Sequence, residues 1–82
     1  MKAITTKYHG PGNVRGSKVS ANDSDGNRVI VHYCDNLSSL ENHQKAAAAL
    51  CKKMGWHGEL CTGGIKGGYV HVFLDHTETF KV

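Results

Sequence analysis

Only one stretch of this chain carries a helical pattern, and it is bounded at both ends. Ser38 and Glu41 have the spacing of a capping box, in which the two side chains bond each other's backbone N–H groups. Leu40, His43, Ala47, Leu50, Cys51 and Met54 then fall on one side at 100° per residue. Glu41 and Lys45 form a favourable i,i+4 pair on the opposite side. Lys52 and Lys53 suit the negative C-terminal end of a helix dipole. Gly55 is a good left-handed terminator, with Trp56 placed to fold back on the last turn. These signals predict a helix over 40–54 capped by Ser38. The remaining patterned segments alternate as short strands. A single helix covers one face of a sheet, so the chain is constrained to one helix-packed face and one face that needs another explanation.

Residues 2–8, 17–22, 28–33, 58–62 and 68–74 read as strands. The order is β-β-β-α-β-β, an α+β fold in which a twisted antiparallel sheet carries one helix on one face. Parity decides the turn at Asp23-Ser24-Asp25-Gly26-Asn27, because opposed residues share a face. A two-residue Asp25-Gly26 loop would separate the valines from their partners. A three-residue Ser24-Asp25-Gly26 loop pairs Ala21 with Val29 and Val19 with Val31, and puts Gly26 in the left-handed position. The same test on the last hairpin favours a three-residue Ile65-Lys66-Gly67 loop, pairing Leu60 with Val72 and Cys61 with His71. On that register Ile4, Tyr8, Val19, Ala21, Val29, Val31, Tyr33, Leu60, Val70, Val72 and Leu74 face the helix. Thr5, Lys7, Ile30, His32, Cys61, Tyr69, His71 and Phe73 face away.

The second set is too apolar and aromatic for an ordinary wet face. The stripe Tyr69, His71 and Phe73 is therefore expected to be covered by the tail or by a second protomer in a homodimer, or to stack nucleic-acid bases. Residues 1–74 form the expected domain. Residues 75–82 are either a short edge strand or a loose tail.

Composition sets further bounds. A chain of 82 residues has a small core. Its net charge of +3 with neutral histidines favours acidic partners but falls short of a dedicated nucleic-acid binder. No apolar run is long enough to span a membrane, and residues 1–6 lack the apolar stretch of a signal peptide. The odd set Cys34, Cys51 and Cys61 argues against a disulfide framework and for reduced thiols in a cytosol.

The segment 9–18 concentrates glycine, the chain's single proline and two cations between two strands. Glycines and Pro11 restrict how that backbone runs, so Arg15 is the expected anchor for a carboxylate or phosphate, with Lys7, His9 and Lys18 beside it. Enzyme chemistry is not expected, since no nucleophile motif is present. The glycine-rich segments lead into strands, whereas a phosphate loop needs a helix N-terminus behind it. His32, Cys61 and His71 would meet on one face as a weak zinc set, without the spacing of known zinc motifs. His43, central on the helix's apolar side, reads as a buried and hydrogen-bonded residue. No cofactor and no metal are expected.

Ile4-Thr5-Thr6-Lys7-Tyr8, the loop from Gly10-Pro11 to Arg15-Gly16-Ser17, Asn42-His43 with the alanine-rich helix to Leu50, Met54-Gly55-Trp56 and Gly67-Gly68-Tyr69-Val70 together resemble a family of small uncharacterised proteins of phages, prophages and other mobile elements of bacteria. The resemblance covers nearly the whole chain to about Leu74. It implies a compact accessory protein in a bacterial host's cytoplasm and carries over no catalytic residue. Proteins of that class often bind and block host defence machinery. The expectation is thus a non-enzymatic, anti-CRISPR-like protein that inhibits a host protein or nucleoprotein defence complex by occluding a surface. The alternative is a small nucleic-acid-binding protein. The expected binding residues are Lys7, His9, Arg15, Lys18, Tyr69, His71 and Phe73.

Overall fold

The computed structural model describes residues 3–10, 16–76 and 78–82, without the His76 side chain. Five strands and one helix follow the expected order: β1 Ala3–His9, β2 Lys18–Asn22, β3 Arg28–His32, α1 Ser39–Met54, β4 Leu60–Ile65 and β5 Gly68–Phe73. A short 3-10 turn spans Leu74–His76, and residues 78–82 have no regular structure. All strand pairs are antiparallel, in the spatial order β3-β2-β1-β5-β4. The helix joins the two edge strands and lies across β1, β2 and β3, reaching β5 only slightly.

The helix ends are built as their residues dictate. Ser38 accepts from the Glu41 N–H, and the Glu41 carboxylate accepts from the Ser38 N–H. The Ser38 N–H foremost, and then the Ser38 hydroxyl, hold the Glu41 carboxyl below its ordinary pKa. Gly55 closes the other end in the left-handed region (φ 73), and the Trp56 N–H bonds back to the Cys51 carbonyl. Ala46, Ala47, Leu50 and Cys51 pack on Ile4, Val19, Ala21 and Phe73. Small residues at 46 and 47 allow the helix to approach the sheet closely.

The β2–β3 hairpin has the expected register, with Val19 opposite Val31 and Ala21 opposite Val29. Gly26 takes φ 90 in its three-residue loop. The Asp23 carboxylate rigidifies that loop by accepting from the Asp25 N–H, the Asn27 N–H and the Asn27 amide.

The β4–β5 hairpin departs from expectation by one residue. Ile65 pairs with Gly68 across a two-residue Lys66-Gly67 loop, so Leu60 lies opposite Phe73 and Cys61 opposite Val72. A one-residue slip reverses every side chain of a strand. Tyr69, His71 and Phe73 therefore face the helix, and Val70 and Val72 face away. The β1–β5 register agrees, setting Ile4 against His71 and Thr6 against Tyr69. Gly68 is demanded by close approach: a Cβ there would collide with the Thr6 carbonyl oxygen.

Candidate functional site

The slip in β5 divides the expected binding residues between two faces. Phe73 is 6% exposed and meets Trp56 edge-to-face, with ring centroids 6.5 Å apart. His71 is buried, and Tyr69 is half-buried with its ring against His43 at 4.7 Å. These three residues form no exposed platform, and the expected self-association through them loses its basis. His71 also lies on the opposite face from His32 and Cys61, so that zinc set does not converge. Cys34, Cys51 and Cys61 are free thiols. Burial raises the pKa of Cys51.

Under the helix, the polar residues of the core bond to one another. The Thr6 hydroxyl lies 2.8 Å from His43 Nδ1 and 3.0 Å from His71 Nε2. The other His71 nitrogen, Nδ1, lies 2.9 Å from the Thr62 hydroxyl, which accepts from the Gln44 amide at 3.3 Å. The donors can run in either direction along the chain: Thr62 to His71 Nδ1, His71 Nε2–H to Thr6 and Thr6 to His43 Nδ1, or His43 Nδ1–H to Thr6, Thr6 to His71 Nε2 and His71 Nδ1–H to Thr62. Both imidazoles are then neutral. Burial lowers the pKa of His43, and burial followed by repulsion from His43 lowers that of His71. The bonds join β1, β5, β4 and α1, so this network fastens the helix to the sheet. His43 is the buried, bonded histidine expected from its position. Asn42, not expected as a core residue, is fully buried; it accepts from the Cys34 N–H and donates to the Cys34, Leu37 and Ser38 carbonyls. It fixes the connection between β3 and the helix.

The open face is built differently. Register places side chains there in rows across the strands, roughly 4.8 Å apart. One row is His9, Lys18 and His32. The next is Lys7, Ser20 and Ile30, and the third is Thr5, Asn22 and Arg28. Lys7, His9, Arg28 and His32 are exposed, and Lys18 is half-buried. The His9 Nε2 lies 2.9 Å from the Ser20 hydroxyl, which tethers that imidazole among the cations. None of the strands contains an acidic residue; all seven Asp and Glu lie in the turns, helix, connections or tail. Beyond β1 the face flattens onto Gly68, Val70, Val72, Gly63 and Cys61.

The structure thus brings Lys7, His9 and Lys18 together as expected from their sequence positions. It adds Arg28 and His32, which the β2–β3 parity already implied. Arg15, the expected anchor, lies outside the described residues. Among the described residues, no cluster of three or more His, Cys, Asp or Glu is arranged to hold a metal ion, and no helix is long and apolar enough to cross a membrane. Comparison with known proteins adds no relative: no family model, no curated protein and no solved structure matches the chain.

Proposed function

We propose that this is a non-enzymatic binding protein that grips a phosphate backbone with the open face of its sheet. The observation that carries the reading is the set Lys7, His9, Lys18, Arg28 and His32 on three adjacent strands, without a carboxylate on any strand. Neighbours within a row are about 4.8 Å apart and successive rows about 6.8 Å apart, which spreads Lys7, Lys18 and Arg28 over three rows along the path of a phosphate backbone. With Tyr69 and Phe73 turned under the helix, the described residues of this face include no Phe, Tyr or Trp for stacking. Recognition by charge and shape follows, with little reading of bases. The small residues Ser20, Thr5 and Gly68 keep the face low enough for a backbone to approach.

The resemblance to small phage and mobile-element proteins directs the choice of partner to a bacterial host. A nucleoprotein defence complex there offers an exposed nucleic-acid strand of the required chemistry. Occlusion of that strand would make this protein an inhibitor.

Fluorescence anisotropy with a labelled 20-nucleotide single strand and with the matching duplex tests the reading. Three cation–phosphate contacts, from Lys7, Lys18 and Arg28, give a slope of about −2.7 for log K against log salt on duplex and about −2.1 on single strand. No binding to either probe at low salt, or binding that ignores salt, refutes it.

A further inference from the structure

β4 is an edge strand, and no strand among the described residues pairs with its outer side. The Leu74 N–H donates to the Glu59 carbonyl at 2.8 Å, which sets the alternation of the antiparallel ladder. Cys61, Gly63 and Ile65 direct their backbone groups to β5. Leu60, Thr62 and Gly64 direct theirs away from the sheet. β4 contains no charged residue and no proline, and its six pairs run without a bulge. Natural sheets usually blunt such an edge. The opposite edge of this molecule is blunted: β3 carries Arg28 and His32, and the Lys53 ammonium donates to the Arg28 carbonyl at 3.0 Å.

Beside the start of β4 lies a pocket of about 290 Å³, between the end of the helix and the sheet. Ala48, Cys51, Trp56 and Leu60 line it, together with the exposed Lys52 and His57. It exists because the helix lies over β1–β3 and leaves β4 largely uncovered. A second copy of this chain does not fill it. Full antiparallel pairing of two β4 strands centres on Thr62 and sets Gly64 of the copy opposite Leu60, with no side chain to enter the pocket.

We propose that an extended segment of a different protein adds to β4 as a sixth strand and seats a large apolar side chain in this pocket. Main-chain bonds to Leu60, Thr62 and Gly64 supply attachment, and the pocket supplies specificity. Lys52 and His57 favour a carboxylate next to the anchor. The surface is separate from the basic face and independent of it.

The probe is a capped heptapeptide, Val-Thr-Val-Thr-Leu-Thr-Asp, whose aspartate follows the leucine on the same face, titrated into the ¹⁵N-labelled protein. The expected result is saturation near 1 mM or below, about the strength of a short strand with one anchor. Amide exchange should slow at Leu60, Thr62 and Gly64, and the Trp56 indole resonance should move. Gly64→Pro removes one outward N–H and leaves the bonds to β5 in place; it should weaken binding at least tenfold, as should replacing the peptide's leucine by aspartate. Should Gly64→Pro fail to fold, a peptide N-methylated on the edge facing β4 tests the same bonds against wild-type protein. Lys7→Gln with Lys18→Gln should leave peptide binding unchanged. The proposal is overturned if those amides exchange as before, or if the N-methylated peptide binds as well as the parent. It is also overturned if sedimentation shows a peptide-free dimer that Gly64→Pro converts to monomer, since a second copy would then occupy the edge.

Discussion

The two faces of this sheet use the same residue types for different ends. Under the helix, two histidines and two threonines are paired with one another, and the imidazoles are held neutral. On the open side, His9 and His32 stand with Lys7, Lys18 and Arg28, and no carboxylate on the strands neutralises them. A polar group withdrawn from water must be partnered, or it costs more than its bonds return. A charged group left in water costs little and remains available. The covered face therefore carries stability, and the open face keeps its cations available for the phosphate backbone proposed above.

The largest expected effect tests the covered face. Thr6→Val keeps the shape but removes the hydroxyl shared by His43 Nδ1 and His71 Nε2. Two buried ring nitrogens lose a partner, so urea unfolding should show a loss of about 3 kcal/mol. A loss below about 1 kcal/mol would mean that the network is incidental to stability.

Acid should act on the same face. The folded pKa values of His43 and His71 lie below the ordinary 6.5, so the unfolded chain takes up protons first as pH falls. Stability is then complete above about pH 6.5 and is lost as pH drops through the lowered folded values. Thermal melts between pH 7.5 and 4.5 should show this decline, and it should shrink in His71→Phe. A melting temperature that rises on acidification contradicts the neutral assignment.

A smaller effect is expected at a site belonging to neither face. Ser38→Ala removes the helix cap and should lower stability by about 1 kcal/mol, with no change in binding to nucleic acid. Weaker binding in this variant would mean that the helix end, and not the open face alone, contributes to the contact.

How far the faces were legible depended on how strictly each hairpin's pattern restricts its register. Val19, Ala21, Val29 and Val31 admit one pairing that buries all four, and that pairing is observed. Lys7, His9 and Lys18 were grouped on a different ground, their nearness in sequence on either side of the loop that joins β1 to β2. In the last hairpin, Tyr69, His71 and Phe73 compete with Val70, Val72 and Leu74 for the core. Both sets are apolar enough to pack, and Gly67 takes a left-handed conformation (φ 84) that either loop length accommodates. The deciding partners lie far away in sequence. His71 is acceptable in the core because Thr6 and Thr62 receive it, 65 and 9 residues distant. Gly68 adds a second signal, since a residue without a side chain at the start of β5 allows the Thr6 carbonyl to approach. Asn42 escaped notice for the same reason: its value lies in the carbonyls of the connection it binds, which periodicity does not report.

Stripping charge from the open face is the most direct test of this division. The variant Lys7→Gln, Lys18→Gln, Arg28→Gln should melt within a few degrees of wild type, because surface substitutions that keep the side chain's length and lie away from special features shift stability by about 0.5 kcal/mol or less. Its affinity for the labelled 20-nucleotide strand should fall at least tenfold at low salt, and the salt dependence should flatten. Lys45→Gln with Lys81→Gln, placed on the helix and the tail, should bind as wild type does. Equal losses in the two sets would reduce the effect to net charge, and an unchanged affinity in the triple variant would contradict the assignment of the open face as the binding surface.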